Sequence, residues 1–266
     1  MTIHPTAIVS PDAKLADDIV VGPGVIIGER VEIGPRCVLQ ARAVVESDTT
    51  LGEGNTIGYG AVIGAAPQDY AHSADIRSSV VIGNNNCIRE YATIHRGTKE
   101  GTTTRIGDNC FLMVGVHIGH NCEVGDGAII TNNVLLAGYV QVGEGAVLGG
   151  GSVFHQFIRV GRRAMVAGGS RFNKEIPPFT IADSYNKIHG INSIGLKRAG
   201  FDAAKRLEIK RAFSWVFRSN KPFRAAAEEA MASTWGPEAR ELFEFVLSSK
   251  RGCCSTGGGR EENLDA

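Results

Sequence analysis

Seven histidines are the side chains of this 266-residue protein best suited to moving protons near neutral pH. Four of them fall in three short segments. His95 lies in REYATIHRGT (89–98), His117 and His120 in FLMVGVHIGHNCEVG (111–125), and His155 in GGGSVFHQF (149–157). Imidazole ordinarily titrates near 6.5, so a neutral ring can take a proton from a hydroxyl as a general base. His117 and His120 also have a spacing that could suit zinc, but on a turning strand two side chains three apart diverge, and no metal is expected. Cys37, Cys87, Cys110, Cys122, Cys253 and Cys254 show no metal-ligand spacing and read as reduced thiols, the first four as small apolar fillers.

The bulk properties exclude several partners. Lys plus Arg equals Asp plus Glu at 28 each, which leaves no general basic field for nucleic acid. No basic segment followed by an apolar one opens the chain, and no apolar stretch approaches the roughly 20 residues of a membrane span. A cytoplasmic protein without an integral membrane segment is expected.

The element that must carry the histidines is a repeat. From Ile3 every sixth residue to Ile63 is aliphatic, eleven residues without a miss. The phase breaks over 64–81, returns at Ile82, Ile88 and Ile94, and breaks again over 95–105. It then runs from Ile106 through Leu112, Ile118, Val124, Ile130, Leu136, Val142, Leu148, Phe154 and Val160 to Val166. Six is a multiple of two, which suits short strands, and it does not fit a helix of 3.6 residues per turn. Glycine often follows the aliphatic residue (Gly22, Gly28, Gly34, Gly119), as a corner residue would. Three hexads make an 18-residue triangular coil, and coils stack as parallel strands about 4.8 Å apart. In this geometry His120, Gly138 and Gln156, each 18 residues apart, stand in one column. The reading is an all-β parallel β-helix over 1–180 with loop excursions at 64–81 and 95–105. An α-helical domain is expected over 181–252. One helix enters at Asp202, a second runs from Pro222 through FRAAAEEAMA, and a third from Pro237 through EARELFEFVLSSK to a stop at Gly252. The tail from Cys253 to Ala266 reads as disordered.

TIHRGT (93–98), the HxxH of His117 and His120, LAG (136–138), HQF (155–157), IPPF (176–179) and GLKR (195–198) occur in this order. With them the chain resembles the UDP-N-acetylglucosamine O-acyltransferases of lipid A biosynthesis, over nearly its whole length. The resemblance implies a left-handed coil and a homotrimer with sites between subunits. It implies transfer of a 3-hydroxyacyl chain from acyl carrier protein to the 3-hydroxyl of UDP-N-acetylglucosamine, with the carrier's phosphopantetheine thioester as donor and no cofactor. His120 matches the general base and the Gly138 N–H the oxyanion donor. Gln68, Asp69, His95, His117, His155 and Gln156 match substrate contacts, and Asn192 and Arg198 nucleotide contacts. Gly168 matches the residue that limits acyl length. Carrying no side chain, it implies a groove for roughly 14 carbons, with Met165 the residue to close it early; alternatively these glycines only let the coil turn. The chain departs from the family pattern at Ala71, at Asn121 (Asp in the family), at Tyr139 (His), and at Ile194 and Ala199. These changes leave open a related modified UDP-sugar acceptor. HNC (120–122) also keeps open an N-acyltransferase acting on an amino sugar nucleotide.

Overall fold

The computed structural model describes residues 1–257. Short strands, most of two residues, pair with the strand one coil away, as Thr2↔Val20 and Val20↔Val38 do, and build three parallel sheets. The first face has 11 strands from Thr2–Ile3 to Lys187–Ile191, the second nine from Ile8–Val9 to Arg171–Phe172, and the third eight from Lys14–Leu15 to Arg159–Val160. The coil is a left-handed parallel β-helix. Its interior holds two ladders. Ile27, Leu39, Ile57, Ile118, Leu136 and Leu148 point inward from the hexad positions. The residues two places earlier in many hexads, among them Val25, Cys37, Ala43, Cys122, Val134 and Ala146, fill the space between them. Burying one such aliphatic side chain is worth about 1.5–3 kcal/mol.

The corners work differently from the sequence expectation. The glycine directly after the aliphatic residue is in most hexads not the left-handed one; it is there because the next coil passes too close. A Cβ on Gly119 would lie 2.8 Å from the Leu136 carbonyl oxygen. The left-handed residue of each turn comes two places later, at Asn85, Asn121, Asn133 or Tyr139, with φ from 55° to 62°.

Both loop excursions leave the same edge of the prism. Paired residues are normally 18 apart; across the first excursion they are 31 apart and across the second 24. Strands Val62–Ala65 and Ser79–Ile82 bound the first loop, and Thr93–His95 and Thr103–Ile106 the second. The loops are therefore 66–78 and 96–102, shorter than the 64–81 and 95–105 read from the broken phase. Each joins the second face to the third, so both overhang the edge where His120 stands.

The helical domain begins later than residue 181. Thr180–Asp183 and Lys187–Ile191 form an antiparallel hairpin that closes the first face. Then come α1 (Ser193–Arg198), α2 (Ala203–Phe217), α3 (Phe223–Met231) and α4 (Pro237–Leu247). Helix α1 had no counterpart in the sequence reading, and α4 ends at Leu247, before Gly252. Asp202 caps α2 by accepting from the Lys205 N–H, and α2 buries Ile209, Ala212, Phe213, Val216 and Phe217. The start of the expected disordered tail is ordered. Cys253 and Cys254 are buried, and Cys253 and Ser255 bridge to Glu175 and Lys187. The returning backbone is satisfied by the last coil, a contact composition does not reveal. Residues 258–266 of that tail lie outside the described residues.

Candidate functional site

His120 sits two residues past the inward-pointing Ile118, at the turn from the second face to the third, and is 8% exposed. Its Nδ1 lies 3.1 Å from Asn121 Oδ1. That oxygen also receives the Thr98 backbone N–H at 3.0 Å and the Thr98 hydroxyl at 3.1 Å. A backbone N–H can only donate, so the amide atom facing it is the oxygen, and the oxygen can only accept. His120 Nδ1 therefore carries a proton, and in the neutral ring Nε2 presents its lone pair. Asn121 thus orients the imidazole without a charge.

Gly138 lies one coil beyond, and the Tyr139 N–H donates to the His120 carbonyl at 2.9 Å. A Cβ on Gly138 would fall 2.2 Å from His120 Cε1 and 2.4 Å from Nε2, so only glycine admits the ring. Among the described residues the Gly138 N–H has no acceptor, and it is a donor beside the imidazole. His155 and Gln156, a further coil along, are exposed, with His155 Nδ1 3.3 Å from the Gln156 carbonyl.

Two more imidazoles complete the cluster. The rings of His95 and His117 are 5.0 Å apart between centroids. His117 Nδ1 meets Thr93 Oγ1 at 2.9 Å, and His95 Nδ1 meets the Ala66 carbonyl at 2.6 Å, which makes it a donor there. Burial, and then the neighbouring His95 and His120, push His117 down to about 4. Burial also lowers His95, with the Ala66 carbonyl opposing. Both rings are neutral at pH 7. Cys122 is no nucleophile: buried in the second interior ladder with its thiol near the Ala137 carbonyl, it is pushed up to about 12. Among the described residues no three His, Cys, Asp or Glu side chains are grouped to hold a metal.

The other expected residues are dispersed. Gln68 and Asp69 are exposed on the first loop, over the same edge as His120, and Asp69 Oδ1 accepts from the Ala71 N–H at 2.9 Å. Asn192 caps α1: its oxygen accepts from the Gly195 N–H and its NH2 donates to the Arg163 carbonyl, both at 3.0 Å. This gives Asn192 a structural task that the sequence did not announce. Arg198 is exposed in the last turn of the same helix. An apolar groove of about 480 Å³ runs along the outer side of the second face from His117, past Leu135, Ala137 and Val153, to His155 and Tyr185. Met165 and Gly168 do not line it. Met165 lies on the first face and Gly168 at the edge between the first and second, stacked on Gly150. Thr98 and Thr93, which hold Asn121 and His117, were missed as site residues although both lie in the TIHRGT segment.

The family described as UDP N-acetylglucosamine O-acyltransferase, domain 2, matches residues 175–254, and the bacterial transferase hexapeptide family matches 30–65 and 103–138. The acyl-[acyl-carrier-protein]–UDP-N-acetylglucosamine O-acyltransferase of Aquifex aeolicus is 57% identical over 191 residues, 70% of this chain and 72% of that protein. The solved UDP-N-acetylglucosamine acyltransferase of Francisella novicida superposes with a TM-score of 0.91 at 35% identity, over 96% of this chain and 94% of that one. The enzyme from Bacteroides fragilis gives 0.91 at 37% identity, over 95% and 99%. With its hexad coil, helical end and histidine-bearing edge, the chain belongs to the UDP-N-acetylglucosamine O-acyltransferase family.

Proposed function

We propose that His120 is the general base with which this acyltransferase moves an acyl chain from acyl carrier protein to UDP-N-acetylglucosamine. The overall transfer is that of the family, at the first step of lipid A biosynthesis. The observation that carries the role of His120 is its fixed tautomer: Nδ1–H on Asn121 Oδ1, and Nε2 free beside the Gly138 N–H. Nε2 takes the proton of the sugar 3-hydroxyl, and that oxygen attacks the thioester carbonyl. The Gly138 N–H donates to the oxyanion, a contact worth about 3 kcal/mol. The tetrahedral intermediate then expels the phosphopantetheine thiolate, which recovers the proton from His120. No protein nucleophile, metal or cofactor takes part. Neutral His95 and His117 suit hydrogen bonding to an uncharged acyl or sugar group, and the apolar groove beside His117 suits the chain.

Gln68, Asp69, His155 and Gln156 contact substrate in this reading, and Arg198, with Asn192 behind it, the nucleotide. Asn121 stays at the orienting position that the family gives to Asp. The acting form is a homotrimer in the cytoplasm. Exposed Ile8, Ile26 and Leu135 on the second face and Val20 on the first support packing between copies. Among the described residues no helix is long and apolar enough to cross a membrane. Incubating the protein with acylated carrier and a panel of sugar nucleotides tests the reaction. The expected product is a hydroxylamine-labile ester on UDP-N-acetylglucosamine. A hydroxylamine-stable amide formed only with amino sugar nucleotides would overturn it in favour of N-acylation.

A further inference from the structure

We infer that Tyr139, acting through Thr98, is a positioning residue that holds His120 for proton abstraction by an uncharged network. The inference rests on His120 being the base. Tyr139 lies one coil above Asn121, and its hydroxyl is 3.2 Å from Thr98 Oγ1. Since the Thr98 hydroxyl donates to Asn121 Oδ1, the phenol is the donor to Thr98. The chain of bonds therefore runs from Tyr139 O–H to Thr98 Oγ1 to Asn121 Oδ1, where His120 Nδ1–H also ends. The ring closes it from the other side. Tyr139 meets the His120 imidazole edge-to-face at 5.3 Å and 85°, a favoured aromatic geometry. Behind Tyr139, Phe157 stacks at 4.8 Å and 17°, and the Arg251 guanidinium lies 5.6 Å from the Phe157 ring. Asn121, Tyr139 and Phe157 turn successive coils at φ of 59°, 62° and 66°, so one backbone conformation aligns all three.

The arrangement replaces a carboxylate. A carboxylate on Nδ1 would fix the same tautomer but would also favour the protonated ring. An amide oxygen held by the Thr98 N–H and hydroxyl, the latter braced by the Tyr139 hydroxyl, fixes it without that effect. The titratable groups that face His120 are the imidazoles of His95 and His117 and the Tyr139 phenol. Among the described residues no carboxylate is within ion-pair distance of His120. The second loop thus has a task in catalysis, because it brings Thr98 to the edge.

Tyr139→Phe keeps the ring and removes only the hydroxyl; Thr98→Val removes the middle link. Each is expected to lower kcat about tenfold with KM for both substrates unchanged, and the double variant to lose no more than the worse single, because the two act as one unit. Thr98→Ser should restore kcat. Nitrogen-15 shifts of the His120 ring should show the Nδ1–H form in the wild type and mixed tautomers in Tyr139→Phe. Wild-type kcat and an unmixed tautomer in Tyr139→Phe, or losses that multiply in the double variant, would overturn the network. Activity retained in His120→Ala while Tyr139→Phe still mixes the tautomers would instead overturn the base assignment.

Discussion

Gly138→Ala replaces a hydrogen with a methyl group at the tightest point of the site. The new Cβ would lie 2.2 Å from His120 Cε1, whereas two carbons rest about 3.5–4.0 Å apart. The imidazole must therefore move by at least about 1.3 Å or rotate away, because the three atoms nearest the new Cβ all belong to that ring. A displacement of that size breaks the 3.1 Å contact with Asn121 and leaves Nε2 out of reach of a hydroxyl. Misplacing a catalytic group by about 1 Å can cost about 10²-fold in rate. The alanine retains its backbone N–H, so loss of the oxyanion donor is not the cause. We expect kcat to fall about 10²-fold with thermal stability within a few degrees of wild type. Carrier thiol release measures the rate, and circular dichroism the fold. In a His120→Ala background the same substitution should cost little more, since the group it displaces is gone. Gly138→Ala at more than about a third of wild-type kcat, or an undiminished loss on top of His120→Ala, would refute the steric account.

The other expectations are more direct. Sedimentation of the active protein should give about three times 28.3 kDa; a monomer with full activity would remove the intersubunit site. Because Gly168 does not line the apolar groove beside His117, Gly168→Met should lower activity equally for every donor, and a preference moved to chains several carbons shorter would instead place the acyl groove at Gly168. A Cβ there meets the Gly150 carbonyl at 3.0 Å, so stability must be followed in parallel. His117 sits at about 4 in the fold and near 6.5 unfolded, so the unfolded chain binds the proton first. Its stabilising contribution is present above about pH 6.5 and is lost as pH falls toward 4. Melting temperature should drop over that window less steeply in His117→Asn; equal slopes would contradict the shift.

The hexad was legible because one strict position per hexad, between Ile3 and Val166 and interrupted only at the two loops, must fill a narrow interior. The second interior ladder was harder to see, since Ala, Cys, Ser and even Asn55 fit beside the larger residues. The loops looked longer than they are because Ser79 and Thr103 open strands before the aliphatic phase resumes. Helix α1 is six residues long and is held by its Asn192 cap, too little for a periodic signal. In the site, the column of His120 and Gly138 followed from counting by 18. The partnership of Thr98 with Asn121 did not, because it depends on a loop folding back 23 residues. Tyr139 stood out only as a departure, and its meaning needed the neighbouring coil.

The central claim is that His120 takes the acceptor's proton. Under saturating acylated carrier and UDP-N-acetylglucosamine, the turnover of His120→Ala tests it most directly. A loss of at least 10²-fold, with the coil's circular dichroism and melting unchanged, is what general-base removal predicts. Turnover above about a tenth of wild type in the same assay would contradict it, for the three atoms nearest a Cβ on Gly138 all belong to the His120 ring.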